Sequence, residues 1–293
     1  MNKVKTSLLN KSYQVVTPPE PAMSWDKYVG IIDSELQALF ANVSAVEKDF
    51  QEFFERHPCC LPQMYPVFKR GAHGPYPGAI ISQPVLPGYS RKVPDFLYIT
   101  RDSATVYAVL IEIEHPAKPW ATAGGQSSAE FTQATNQLAD WKSWFADPLN
   151  IVQFRELYRI PTDWIQSRTF EQRYFLIYGR RSDSSLTEAF NKKRKHLERE
   201  NECHMTYDRI QPQREMDCLC TKLDEKGYRA ISVPPTLELG PMWASEGKMI
   251  RDKEIAVRAN RYLSDVRKEF LITRWPYWDA WNRAGIIDSK DRE

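Results

Sequence analysis

Three acids in two neighbouring segments carry the most chemical promise: Asp95 in KVPDFLYIT, and Glu112 and Glu114 in VLIEIEHP. Residues two apart on an extended chain point to the same side, so a strand through Glu112-Ile113-Glu114 projects both carboxylates together. Two carboxylates held close and drawn out of water repel each other and resist ionising. A divalent cation relieves that repulsion, and Mg²⁺ accepts a few carboxylates plus waters. Asp95, on the face of its own strand that carries Val93, Leu97 and Ile99, would complete such a site. Taken alone, Glu-x-Glu at a strand end also fits plain solvation. Acids set this close do not suit a glycoside hydrolase, whose pair stands roughly 5 to 9 Å apart across a sugar cleft.

The elements that must position these acids are legible from periodicity. Ser44-Ala-Val-Glu47 reads as a capping box that opens a helix, with Val46, Phe50, Phe53 and Phe54 at helical spacing until Pro58. Residues 59 to 92 are rich in Pro and Gly, with one strand expected near 79–84. Strands follow at 93–99 and 105–115, joined by a turn at Thr100-Arg-Asp-Ser-Ala104 into an antiparallel pair. The second is apolar on both faces until it meets the glutamates, so it belongs in mid-sheet. A second capping box, Ser127-x-x-Glu130, opens a helix with Phe131, Ala134, Leu138, Trp141 and Phe145 on one stripe. Gln133 and Gln137 lie one turn apart on the neighbouring stripe, where they can hydrogen-bond a water or a phosphate beside the acids. A strand at 174–178 ends in Gly179-Arg-Arg181, and a helix at 185–200 and a strand at 204–210 complete an α/β layered arrangement. Beyond Pro212 the pattern predicts a short strand at 228–233 and one long helix through Ile255, Ala259, Tyr262, Val266 and Phe270. The closing Trp275, Tyr277, Trp278 and Trp281 are expected to bury their rings, with stacking on unpaired bases as the functional alternative.

The bulk composition narrows the partners. Forty basic against 38 acidic residues leave a net charge of +2 in 293 residues, so any phosphate-binding surface must be a local patch. The most basic run is Asn191-Lys-Lys-Arg-Lys-His196. A solvated helix face is its ordinary explanation, and Lys192, Lys193 and Arg194 are the first candidates for contact with a DNA backbone. Arg180 and Arg181 at a strand end have the fork geometry that grips phosphate. No apolar run reaches the roughly 18 residues of a spanning helix, and the start lacks a secretion signal, so a cytoplasmic protein without a membrane partner is expected. Five cysteines, Cys59, Cys60, Cys203, Cys218 and Cys220, lack framework spacing and read as buried thiols; the pairs would bind zinc only by meeting in space. His115 lies on the opposite strand face from the glutamates and reads as packing.

Pro94-Asp95, a short turn, an apolar strand ending in Glu112 and a helix bearing Gln137 resemble the PD-(D/E)xK nuclease pattern. In chain order, Glu47-Lys-Asp-Phe-Gln-Glu-Phe-Phe-Glu-Arg-His-Pro58, Pro94-Asp-Phe96, Glu112-Ile-Glu-His-Pro116, Gln137-Leu-Ala-Asp-Trp141, Gly179-Arg-Arg181 and Thr206-Tyr-Asp208 resemble the motifs of the C-terminal nuclease domain of the Shedu anti-phage defence family. This resemblance implies a restriction-endonuclease-like α/β core at 44–212, with a mixed central sheet flanked by helices. An N-terminal arm at 1–43 and a mostly helical C-terminal extension at 213–293 would complete the chain. It further implies a bacterial defence nuclease acting on phage or plasmid DNA, using Mg²⁺ or Mn²⁺ held by Asp95 and Glu112. Glu114 would be the third acid, Glu47 would reach the metal from the first helix unless it serves only as a cap, and Gln137 would support the site. One departure stands out: the usual Glu-x-Lys has become Glu112-Ile113-Glu114. Either Glu114 serves as ligand or general base, or Lys118 or Lys92 supplies the ammonium from elsewhere, or catalysis is lost and the fold binds DNA ends or a partner protein. Some members carry Glu-x-Glu, so inactivity does not follow from the swap. The oligomeric state, including a homo-oligomer, stays open.

Overall fold

An apolar run with no polar face has to be covered on both sides, and TVYAVLIEI at Thr105–Ile113 is buried at every position. The computed structural model describes residues 17–70, 73–88, 93–240 and 247–283. Helices α1 (Trp25–Ala41), α2 (Glu47–Arg56) and α3 (Met64–Phe68) precede strands β1 (Tyr76–Ser82), β2 (Phe96–Arg101) and β3 (Thr105–Ile113). Next come α4 (Ala129–Phe145), α5 (Pro148–Leu157), α6 (Thr162–Gln166), β4 (Thr169–Ile177), α7 (Glu188–Leu197) and β5 (Glu202–Met205). The chain continues through β6 (Leu219–Asp224), β7 (Gly227–Ser232), β8 (Ile250–Arg251), and two further helices, here α8 (Lys253–Ala259) and α9 (Asp265–Arg283).

All eight strands form one mixed sheet in the order β5-β4-β3-β2-β1-β6-β7-β8. β2 and β3 pair antiparallel from Phe96↔Ile111 to Arg101↔Val106, as the turn residues predict. β3 pairs parallel with β4 along its whole length, and β4 pairs parallel with β5. The carboxyl ends of β3, β4 and β5 and the start of β2 therefore share one edge of the sheet, which is where Asp95, Glu112 and Glu114 fall. One sheet face, through Leu97, Ile99, Val106, Ala108 and Leu110, packs on Phe131, Ala134, Leu138 and Trp141 of α4. The other, through Phe96, Tyr98, Val109, Ile111 and Ile113, packs on Phe50, Phe53 and Phe54 of α2 and on Tyr28 and Ile32 of α1.

Several expected boundaries move, for identifiable reasons. Helix α2 is capped at Val46, whose N–H donates to the Asp49 carboxylate at 2.8 Å, so Ser44 is no cap and Glu47 opens the helix with its side chain free of a capping duty. Helix α4 starts one residue later than expected, with Ser128 Oγ accepting the Phe131 N–H at 3.0 Å. The single long C-terminal helix is broken, because the Asn260 side chain accepts the N–H groups of Tyr262 and Leu263 and turns the chain between α8 and α9. The expectation of a mostly helical C-terminal region is corrected by β6, β7 and β8, which extend the sheet; β6 lies parallel to β1 from Ala79↔Leu219 to Ile81↔Thr221. Residues 17–41, expected as an arm, include the 17-residue helix α1, and residues 1–16 lie outside the described residues. Trp275 and Trp278 bury their rings as expected, at 4% and 1% exposure.

A buried polar cluster ties α1 and α2 to the turn after α8. His57 is fully buried, with Nδ1 against the Tyr28 hydroxyl at 3.0 Å and Nε2 against Glu35 at 3.1 Å. The Tyr262 hydroxyl donates to Glu35 at 2.7 Å, and Arg261 closes an ion pair with Glu35 at 2.6 Å. All five cysteines are free and buried, with no disulfide among the described residues.

Candidate active site

Glu112 sits near the end of the β3–β4 ladder, opposite Leu176 of β4, on the face that packs against α4. That register brings it to Gln137, one of the few polar residues of α4 that is buried, whose Nε2 donates to Glu112 Oε1 at 2.5 Å. Glu112 Oε2 is buried and has no hydrogen-bond partner among the described residues. Asp95, just ahead of β2, accepts the Ile113 N–H at 2.8 Å and meets the Glu112 carboxyl side by side. Burial pushes Asp95 up to about 7 against the Ile113 hydrogen bond, with the charges of Glu47 and Glu114 adding to it. Burial, then the charges of Asp95, Glu114 and Glu47, raises Glu112 well above the ordinary carboxylate range. Two contacting acids out of water retain a proton between them unless a cation replaces it.

Glu114 continues the parallel ladder one residue past β3, its N–H donating to Ile177 O at 2.9 Å. The chain then turns: Lys118 N–H reaches His115 O at 3.0 Å, and His115 Nε2 bonds the Ala45 carbonyl at 3.0 Å with its ring edge-on to Phe50. The turn delivers the Lys118 ammonium to the Glu114 carboxylate and, at 2.9 Å, to Glu47 Oε2. Burial raises the pKa of Glu114 and Lys118 opposes that rise. Burial works against the charge on Lys118, but Glu114 and Glu47 outweigh it and hold the amine protonated more firmly than usual. Of the two lysines, Lys118 sets its ammonium between Glu114 and Glu47, while Lys92 lies outside the described residues.

The acids form two pairs, Asp95 with Glu112 and Glu47 with Glu114 across Lys118, and among the described residues no three His, Cys, Asp or Glu side chains are already gathered as metal ligands. The donors are nevertheless all oxygens, and one of them, Glu112 Oε2, is buried without a partner, which suits a hard cation such as Mg²⁺ or Mn²⁺. A cleft of about 650 Å³ lined by Phe40, Asn42, His115, Pro116, Arg180 and Ser182 opens on the α1 and α2 side of the turn after β3, and none of the acids above lines it.

The profile of the Shedu protein SduA C-terminal region matches residues 44–210. The chain belongs to the Shedu family. No individually curated protein matches it. The Shedu match contains all the acids above together with Gln137 and Lys118, and excludes α1, β6, β7, β8, α8 and α9.

Elsewhere on this Shedu chain the expected phosphate contacts divide. Arg194 is drawn into structure: it donates to His204 O at 3.0 Å and Asn191 Oδ1 at 2.9 Å and lies 4.6 Å from the centre of the Trp120 ring. Arg180 is committed to Asp208 at 2.9 Å and stacks on Phe40 at 3.7 Å, while the Arg181 side chain is exposed. Lys192 is exposed and pairs with Glu188 one turn earlier, and Lys193 reaches the Gly125 carbonyl at 3.3 Å. Gln133 is exposed and stands apart from the acids' direct partners, unlike Gln137.

Sequence reasoning misses Gln51. One turn after Glu47, it is buried and donates to Ser82 Oγ at 3.1 Å and to the Asp95 carbonyl at 3.4 Å, and Ser82 in turn donates to Glu55 at 2.5 Å. The four-residue spacing Glu47, Gln51, Glu55 on α2 is the available signal.

Proposed function

We propose that this chain is a Mg²⁺- or Mn²⁺-dependent DNA nuclease of anti-phage defence that hydrolyses phosphodiester bonds at the Asp95, Glu112 and Glu114 cluster. The observation that carries the reading is Glu112, a carboxyl group held in a buried pair with Asp95 and oriented by Gln137 at Oε1, with no N–H or hydroxyl among the described residues donating to its Oε2. A protein pays for such an arrangement in stability, and function is the ordinary reason for keeping it.

Asp95 and Glu112 would hold the cation. When bound, it supplies Lewis-acid activation for the hydrolysis. Gln137 fixes the rotamer of Glu112 through Oε1, and the Ile113 N–H fixes Asp95 through Oδ2. Glu114, whose proton affinity is raised by burial, would take a proton from the attacking water at its carboxylate. Lys118 answers the missing Glu-x-Lys lysine from four residues beyond Glu114, setting a positive charge beside that carboxylate.

A second reading, DNA binding without cutting, draws on the same ion pairs, because Lys118 bridging Glu47 and Glu114 neutralises both. Supercoiled and linear DNA incubated with the full chain and Mg²⁺ or Mn²⁺ separates the two. Nicking or linearisation that Glu112→Gln abolishes supports the nuclease; DNA retention without cleavage in either metal refutes it.

A further inference from the structure

Tyr207 sits in the short turn after β5, at the same sheet edge as the acids. Its backbone is pinned, with its N–H donating to Gly179 O at 3.1 Å and its carbonyl accepting the Ile210 N–H at 3.1 Å. Its ring is 1% exposed and lies edge-on to Phe50 at 5.3 Å and to Phe40 at 6.0 Å, with Phe54 at 6.2 Å. A phenylalanine would fill that aromatic nest equally well, so packing leaves the hydroxyl unexplained. That hydroxyl is buried and has no hydrogen-bond partner among the described residues, although buried polar groups are nearly always paired. Phe50, against which the ring packs, lies one turn from Glu47 on α2, and the charges of Asp95, Glu47 and Glu114 all act on the phenol. Burial and those charges keep its proton on, so that it stays a donor. A second orphaned atom, Gln51 Oε1, lies in the same region, on the side chain that donates to the Asp95 carbonyl.

We propose that Tyr207 is a positioning residue of the acid cluster, its O–H donating to the Asp95 carboxylate when that carboxylate turns to hold a divalent cation. This rests on the nuclease reading and adds to it a donor behind the ligand, the kind of outer partner that fixes a ligating group in one orientation. The hydroxyl would thus be unpaired in the metal-free protein and paired in the loaded one.

Mn²⁺ binding to the full-length protein, followed by electron paramagnetic resonance, tests it without an activity readout. Tyr207→Phe is expected to weaken Mn²⁺ affinity about tenfold, the lower end of what loss of such a partner costs, while its melting temperature in EDTA stays at or above that of the wild type. Tyr107→Phe serves as control, because the Tyr107 hydroxyl bonds Asp102 near the opposite end of β3 and its loss should leave Mn²⁺ affinity unchanged. Wild-type affinity in Tyr207→Phe overturns the role of Tyr207 and leaves the nuclease reading standing. Wild-type protein that binds no Mn²⁺, or binds it no better than Glu112→Gln, overturns both.

Discussion

Replacing Glu112 with glutamine should abolish activity and yet make the metal-free protein more stable. The introduced amide keeps an oxygen for the Gln137 side chain and gains an N–H to offer Asp95, so a contact between two acids becomes an ordinary hydrogen bond. Asp95 gives the scale for a buried acid of this pair. Its folded-state pKa, raised from 3.8 to about 7, means that the folded chain holds a proton the unfolded chain has released. The stability linked to that proton is fully present below pH about 4 and is lost as pH rises to about 7, by at most about 4 kcal/mol. Burial and the charges of Glu47 and Glu114 survive the substitution and the Glu112 hydrogen bond already opposes the rise, so the gain comes from removing Glu112, whose own raised pKa holds a further proton, and is about 2 kcal/mol, the order of relieving one poorly satisfied buried polar group. A gain of that size raises the melting temperature by roughly 3–6 °C. Thermal and urea unfolding in EDTA at pH 5 and pH 8 would show wild type losing stability toward pH 8 and Glu112→Gln losing less. A variant less stable than wild type at pH 8 in EDTA would refute the claim that holding the Glu112 carboxyl in this buried pair costs stability.

Lys118→Met leaves the 8%-exposed Glu114 carboxylate without its cation, and should cost about 1–2 kcal/mol in urea unfolding and about 100-fold in nicking rate, with Lys118→Arg recovering part of the rate. Gly179→Ala places a Cβ 2.5 Å from the Trp120 indole nitrogen at a residue with φ of +58°, so a loss of about 2–4 kcal/mol is expected in chemical denaturation. Burial acts to raise Glu35, but hydrogen bonds from His57 and Tyr262 outweigh it and lower the group to about 2, so its stabilisation is present above pH about 4.5 and lost as pH falls toward 2. Allowing for the partial exposure of Glu35, Glu35→Gln should cost about 2 kcal/mol at pH 7 and flatten the acid-unfolding curve below pH about 4.

The parts of the fold that read correctly from sequence are those whose signal is local. Strand β3 announces itself by an apolar run almost without polar interruption before Glu112, and α4 by Phe131, Ala134, Leu138, Trp141 and Phe145 on one stripe. The β2–β3 pairing follows from a short connection rich in turn residues. Strand β6 escapes such a reading because LCTKLD is short and half-exposed, and its partner β1 lies about 140 residues earlier in the chain. Helix starts slip where a polar residue near the boundary is not the one that bonds: Ser44 yields to the reciprocal Val46 and Asp49, and Ser127 to Ser128. In the site, the acids and Gln137 are legible from strand and helix periodicity. Gln51 and Tyr207 stand inside family-like motifs, yet their place beside the acids is not legible there, because a buried glutamine or tyrosine becomes distinctive only when its unpartnered atom is seen. Arg194 shows the limit of a basic run: it specifies charge, and only the fold shows that one of its members lies over Trp120.

The junction between β1 and β6 bears on how the molecule is assembled. Until residues near 219 emerge from the ribosome, β1 presents an open row of backbone donors and acceptors along one side, close to the strands that carry the acids. A nascent or truncated chain ending near 212 would offer that row to other chains as a template for intermolecular pairing. The residues after the Shedu match thus act as an in-built seal on the sheet, contributing to solubility even though they supply none of the acids.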